Sequence, residues 1–327
     1  MEWIGAPPPV EVRVYEEEAR SILTENDSPD VPFRWGVNPY RGCQHACAYC
    51  YARPGHEYLG FGAGTDFDSK IVVKRNAPEL LEAALTRRGW QREWIAFSGV
   101  TDPYQPLEAN YGLTRRCLEV CLRRENPVGL ITKSALVRRD ADLLAAIQER
   151  SGARVHLSIP FLNPERARAM EPWAPTPAMR LETLRVLRAA GVPVGVSLSP
   201  LIPGLNDDEI PAILEAAAAA GATSAFMILL RLPGAARGVF EERLRLAFPA
   251  RAERVLSAVE DSRAGMDSAE RASFGGRMGG RGPRWEALWG LFELTCKRLG
   301  LACREHDPAM DLAPSSPSKS PQGELFG

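Results

Sequence analysis

The stretch Asn38 to Tyr51, NPYRGCQHACAYCY, holds three cysteines, Cys43, Cys47 and Cys50, in the spacing C-x3-C-x2-C. That spacing lets three sulfurs converge from one short loop onto a compact metal centre. A closed tetrahedral zinc site wants four ligands, whereas an iron-sulfur cube held by three thiolates keeps one iron open to something else. Zinc would have to recruit His45 or His56, and a disulfide would strand an odd cysteine. The cluster is the most economical of the three readings, and its open iron is where chemistry can start.

Such a loop must be held by a scaffold, and the chain from Arg34 onward has the pattern of one. Short β-branched or apolar runs alternate with amphipathic stretches, which argues for βα units on a parallel sheet. The runs predict strands over Arg34 to Asn38, Glu93 to Phe97, Val128 to Thr132, Arg154 to Ile159, Val194 to Leu198 and Ser224 to Leu230. Helices are expected near Pro78 to Arg88, Leu113 to Glu125, Arg139 to Arg150, Pro177 to Ala190 and Asp207 to Ala220. Six units are too few for a full eight-unit barrel, but function still gathers at the C-terminal ends of such strands. The cysteine loop follows the first, Ser98-Gly99-Val100-Thr101-Asp102 the second, and Lys133-Ser134 the third. Strand four offers His156 and Ser158 on one face, and His156 reads as a core histidine. Asn206 or Asp207 reads as a helix cap, and Arg231 stands at the mouth of strand six.

The C-x3-C-x2-C loop with Tyr49 before its last cysteine resembles the radical SAM superfamily. NPYRGC, CAYCYAR, TDPYQPLE at 101 to 108 and ITKS at 131 to 134 are similar to its spore-photoproduct-lyase-like branch, often labelled DNA repair photolyase. The resemblance covers roughly Asn38 to Asn206. It implies an α/β fold, a partial (βα)6 barrel, with a 4Fe-4S cluster on Cys43, Cys47 and Cys50. It also implies S-adenosylmethionine chelated to the free iron and cleaved reductively to a 5′-deoxyadenosyl radical that abstracts hydrogen. On this reading Asp102, Lys133 and Ser158 help hold S-adenosylmethionine, Tyr49 and Tyr51 flank the radical path, and a flavodoxin or ferredoxin supplies electrons. The lyases carry a hydrogen-donor cysteine just before the Asp of the strand-two loop. This chain has Gly99 and Val100 there and no cysteine between Cys50 and Cys117, so repair of thymine photodimers by the same relay is not expected.

The remainder frames this core. Residues 1–33 read as an extended arm, 34–235 as the barrel, 236–306 as a helical extension and 307–327 as a disordered tail. With 40 Lys plus Arg against 41 Asp plus Glu, any attraction to nucleic acid must come from a local patch. Arg271 to Arg284, RASFGGRMGGRGPR, is the best candidate, with a solvated loop as the plain alternative. The long insertion from Ala52 to Lys74 suits a functional role at the substrate mouth. Cys117, Cys121, Cys296 and Cys303 read as core residues. Gln322 to Phe326, QGELF, resembles the peptide by which repair proteins dock on the DNA sliding clamp. The N-terminus has no secretory pattern, no run is long enough to span a membrane, and the expected setting is cytoplasmic. The leading expectation is radical chemistry on nucleic acid. The alternatives are a small molecule, peptide or RNA as substrate, or a clamp-recruited iron-sulfur DNA-binding protein without such chemistry.

Overall fold

The computed structural model of the protein describes residues 11–303, apart from 32 and 275. Six parallel strands lie side by side in chain order: β1 (Trp35–Val37), β2 (Ile95–Phe97), β3 (Val128–Thr132), β4 (Ala153–Ser158), β5 (Val194–Leu201) and β6 (Ser224–Leu229). Between them run α1 (Ala77–Leu85), α2 (Leu113–Arg123), α3 (Ala141–Arg150), α4 (Pro177–Ala189) and α5 (Ile210–Ala219). This is the partial βα barrel expected, with strand starts and ends within a few residues. The strands are almost continuously buried, as a sheet covered by helices on its outer face and filled within requires. Leucine, isoleucine and valine from every unit form one large core. Local signals set the helix starts: before α4, the Thr176 hydroxyl accepts from Met179 N at 3.3 Å and Pro177 takes the first turn.

Each side of this six-stranded set carries one further short strand. Leu23–Glu25 pairs antiparallel with β1, and Ala302–Cys303 returns at the far end to pair parallel with β6. A second sheet of three strands, ordered Arg13–Glu17, Lys70–Lys74, Tyr40–Arg41, joins the N-terminal segment to the insertion. The insertion thus scaffolds the cysteine loop: Cys43 N donates to Phe67 O at 2.9 Å. Helices Ala236–Ala247 and Ala252–Asp261 pack through Phe240, Leu244 and Val255 onto Cys47, Ala48 and Tyr49 in a second apolar core. The helical extension is therefore part of the wall behind the loop. No helix among the described residues is long and apolar enough to cross a membrane.

Two expectations change. Asn206 occupies the cap position, but its side chain caps nothing; it donates to Pro160 O and Pro200 O and accepts from Ile202 N, stitching the ends of β4 and β5 together. Asp207 likewise accepts from Gly204 N within its own turn. The arginines of the 271–284 segment are not free cations. Arg277 is bound to Asp30 and Ser28, Arg271 to Glu260, Arg281 to Glu270 at 3.2 Å, and Arg284 lies 3.7 Å from Asp261. Acids from outside the segment, one of them as distant as Asp30, neutralise a stretch that contains none. The QGELF peptide lies outside the described residues.

His156 is a core residue, as read. Its Nε2 meets Ser224 Oγ at 3.2 Å, its ring packs edge-on against Phe226, and Gly195 leaves room for it: a Cβ on Gly195 would stand 2.4 Å from the ring. Burial, helped by Arg154, drives its pKa from 6.5 to about 3. Below 6.5 the unfolded chain takes up a proton that the folded protein refuses. The folded state therefore loses up to about 1.4 kcal/mol per pH unit as pH falls through that window. His156→Gln has no such proton, so its stability deficit against the wild type narrows as pH drops from neutral toward 4. Urea midpoints across that range check this; parallel curves would refute it.

Candidate active site

The cysteine loop is clasped from three sides. From the strand-two side, the TDPYQPLE stretch reaches over: Gln105 Nε2 donates to Gly42 O at 3.1 Å, Gln105 Oε1 accepts from Gln44 N at 3.1 Å, and Gln44 Oε1 accepts from Leu107 N at 2.8 Å. Glu108, fully buried, accepts from the Tyr40 hydroxyl, from Thr114 N and from Arg139. From below, Arg53 is 1% exposed and spends its guanidinium on Cys47 O, Ala63 O, Gly64 O and both oxygens of Asp68. From the strand-four side, Ala48 N donates to Met170 O at 2.9 Å and Trp173 N to His45 O at 3.3 Å. Gly42, at φ 78°, lets the chain enter: a Cβ there would stand 2.9 Å from Phe67 O.

Behind Tyr49 lies a buried ion triad. The Tyr49 hydroxyl donates to Glu171, Arg180 donates to the other Glu171 oxygen, and neither charged residue exceeds 1% exposure. Arg180 also donates to Ser158 O at 2.9 Å and Pro175 O at 2.8 Å. Burial pushes the Glu171 carboxyl up, but Arg180 and Lys133 outweigh it and hold it below the usual range. Glu171 follows helix Pro164–Met170, whose start is capped by Asn163. Tyr51 differs: it is 46% exposed at the mouth, donates to Gly99 O at 2.7 Å, and has the Arg231 guanidinium 5.6 Å from its ring centre.

Lys133 and Ser158 come together as expected. Lys133 Nζ donates to Ser158 Oγ at 3.0 Å and stands 5.6 Å from the Tyr49 ring centre, and Ser158 Oγ donates to Ser199 O at 3.2 Å. Beside them the buried hydroxyls of Ser197 and Ser199 lack partners. Asp102 stands apart from this group in its task. Its carboxylate accepts from Thr132 Oγ1 at 2.6 Å, Tyr104 N at 2.9 Å and Lys133 N at 2.8 Å, with His45 Nδ1 3.3 Å away. Burial pushes its pKa up, but His45, the Lys133 amide and the Thr132 hydroxyl hold it at about 2. These donors already use most of the acceptor capacity that the methionyl amino group of the cofactor would share, and Asp102 latches β2, β3 and the cysteine loop together.

The three loop cysteines are free thiols, and Cys43 and Cys47 are buried. Burial raises the pKa of each loop thiol, that of Cys47 to about 12, and the three raise one another's: Cys47 and Cys50 act on Cys43, and Cys50 on Cys47. Zinc loses its candidate fourth ligands: His45 faces Asp102, and His56 Nε2 lies 2.9 Å from Lys70 O. Among the described residues, no three His, Cys, Asp or Glu side chains already stand as a ligand set. Three thiols in a shared apolar pocket repel as thiolates and converge only around a cation, so the donor chemistry fits a cluster that assembles with its own iron.

A family model described as Radical SAM superfamily matches residues 37–217. The chain belongs to the radical SAM superfamily. It is 41% identical over 221 residues to an uncharacterized protein of Mycobacterium tuberculosis, an alignment covering 67% of this chain and 65% of that one. An uncharacterized protein of Methanocaldococcus jannaschii is 34% identical over 176 residues, 54% of this chain and 63% of its own. Among solved structures, a spore photoproduct lyase variant with bound AdoMet and dinucleoside spore photoproduct overlays with a TM-score of 0.59 at 16% identity, covering 89% of this chain and 81% of that one. The shared fold is that of the lyase. The alignments to the two uncharacterized proteins span under two thirds of those proteins' own lengths, and a 4Fe-4S cluster with S-adenosylmethionine is what members of the superfamily use.

Sequence reasoning grouped Arg53 with the insertion at the substrate mouth and missed Glu171 and Arg180, all three nearly fully buried around the loop. An Arg two places after Tyr51 carried a faint signal; Glu171 and Arg180 carried none.

Proposed function

We propose that this enzyme abstracts hydrogen from a nucleic-acid substrate, with Cys43, Cys47 and Cys50 holding the cluster, and Lys133 and Ser158 contacting S-adenosylmethionine. When bound, the cluster supplies the electron that splits S-adenosylmethionine into methionine and a 5′-deoxyadenosyl radical. The chain's own residues do the rest. Lys133 carries a cation suited to the methionyl carboxylate, and Ser158 offers a hydroxyl toward ribose. The unpartnered Ser197 and Ser199 hydroxyls line the same floor and would gain partners from a polar ligand. Tyr49, tied to Glu171, is a wall of the pocket.

The observation that carries the nucleic-acid reading is Tyr51. An aromatic ring next to a cluster cysteine, half in solvent at the mouth, is the kind of platform on which a base stacks. The structural likeness to a lyase solved with a dinucleoside supports the same reading.

The test is anaerobic reconstitution with iron and sulfide, chemical reduction, and assay of S-adenosylmethionine for 5′-deoxyadenosine with and without DNA or RNA. Cys47→Ala is expected to abolish release altogether while leaving the fold intact. Stimulation by nucleic acid, with deuterium from a labelled base or sugar appearing in 5′-deoxyadenosine, upholds the substrate class. Release that no nucleic acid alters would sink it and leave the small-molecule and peptide alternatives.

A further inference from the structure

We propose that Arg231 and Arg263 form an oxyanion site at the mouth of the sheet, built to receive a phosphate of the substrate beside Tyr51. The proposal rests on the nucleic-acid reading for the source of that phosphate, but the site itself is argued from its own residues. Arg231 lies two residues past the end of β6, at the edge where the cysteine loop opens. Its guanidinium is partly buried against Tyr51, and among the described residues it makes no hydrogen bond or ion pair.

Arg263 is the second, independent observation. It is 6% exposed and donates through Nη2 to Leu230 O at 3.0 Å and Arg277 O at 3.3 Å, which fixes it directly under the Leu230-Arg231 turn. Its other terminal nitrogen, Nη1, is buried with no partner. A purely structural Arg263 explains Nη2 but not a second donor left empty, since an unsatisfied buried donor on a charged group is among the more costly arrangements in a folded protein. The other guanidiniums here are already served, Arg277 by Asp30 and Ser28, and Arg271 and Arg237 by Glu260. Carboxylates were evidently available to this part of the chain, yet Arg231 and Arg263 hold none.

The electrostatics agree. Burial lowers the pKa of Arg231, and Arg277 lowers it further. Burial takes Arg263 down to about 10, with Arg271 and Arg231 adding to the effect. An oxyanion shared between them, such as a backbone phosphodiester, would relieve both, and guanidinium forks match its geometry. With a base against Tyr51 and the adjoining phosphate on Arg231, the sugar and base edge would be held next to the cysteine loop.

The test uses the reconstituted protein without S-adenosylmethionine, so its readout is binding and not turnover. Two probes are used: a fluorescein-labelled single-stranded oligonucleotide followed by anisotropy across a salt series, and inorganic phosphate followed by thermal shift against chloride of equal ionic strength. Arg231→Gln, checked for unchanged circular dichroism, is expected to weaken oligonucleotide binding roughly tenfold or more and to flatten the salt slope by about 0.7. Arg231→Lys is expected to restore the slope but only part of the affinity, and phosphate to stabilise the wild type but not Arg231→Gln. Oligonucleotide binding with an unchanged salt slope in Arg231→Gln would overturn the site while leaving the nucleic-acid reading standing. Phosphate stabilisation confined to the wild type, with no oligonucleotide bound, would uphold the site and overturn that reading. Neither probe binding would overturn both.

Discussion

Arg180→Met is expected to cost roughly 3–5 kcal/mol of stability and to empty the protein of iron, although Arg180 touches no cysteine. The reason is what it leaves behind. Arg180 and Glu171 are both essentially unexposed, and breaking a buried pair from one side strands a carboxylate in an apolar setting. Glu171 would keep the Tyr49 hydroxyl and the more distant charge of Lys133 but lose its ion-pair partner, and the carbonyls of Ser158 and Pro175 would lose their donors as well. Protonating Glu171 would be the protein's cheapest response, so the variant should recover stability as pH falls through the carboxylate range. The paired substitution Glu171→Gln with Arg180→Met removes both charges and is expected to regain much of the loss, because replacing a whole buried pair is often near neutral. Denaturant midpoints for the two single variants and the double variant settle it. Losses that simply add, with no recovery in the double variant, would show that the triad is not a coupled unit.

That triad also marks where sequence reading stopped. The six strands were legible because valine, isoleucine and leucine cluster in short runs between turn residues. The cysteine loop was legible because metal ligation imposes a fixed spacing. Neither signal exists for Glu171, whose partner Tyr49 lies 122 positions earlier, on an unforeseen helix-loop excursion after β4. Asp102 shows a different limit. An aspartate after a strand reads the same whether its oxygens await a ligand or are filled by Thr132, Tyr104 and Lys133, and only coordinates separate the two. The arginine-rich 271–284 segment failed for the same reason in reverse. Its local sequence has no acid, but Asp30 and Glu260 reach it from elsewhere. The TDPYQPLE stretch was legible as a motif while its task was not: Gln105 grips the backbone of Gly42 and Gln44 and Glu108 takes the Tyr40 hydroxyl, work that composition does not reveal.

The second large effect is expected at Arg53, and it should differ in kind from the first. Arg53→Met deprives Cys47 O, Ala63 O and Gly64 O of their shared donor and leaves the half-buried Asp68 carboxylate without its partner. With each unsatisfied buried group costing about 1–3 kcal/mol, the total is comparable to the loss at Arg180. The location changes the consequence. Arg180 steadies the wall behind the loop, whereas Arg53 holds the carbonyl of a cysteine that must ligate iron, and the guanidinium stands 5.1 Å from the Phe67 ring centre, beside the residue that receives Cys43 N. The backbone of Cys47 and the seat of Cys43 are therefore fixed through one side chain. Among molecules that remain folded, Arg53→Met should still bind less iron if Cys47 ligates it as proposed, while the Glu171→Gln, Arg180→Met pair should bind close to the normal amount. Arg53→Lys keeps the charge but offers one compact ammonium where a fork spans several acceptors, so it should restore stability in part and iron binding less. The deciding measurement is iron and sulfide per folded chain after anaerobic reconstitution, set against the unfolding midpoint of each variant. If iron content followed stability along one line for all of them, Arg53 would be a general brace of the fold. A point for Arg53→Met well below that line would make it the residue that shapes the loop for its cluster.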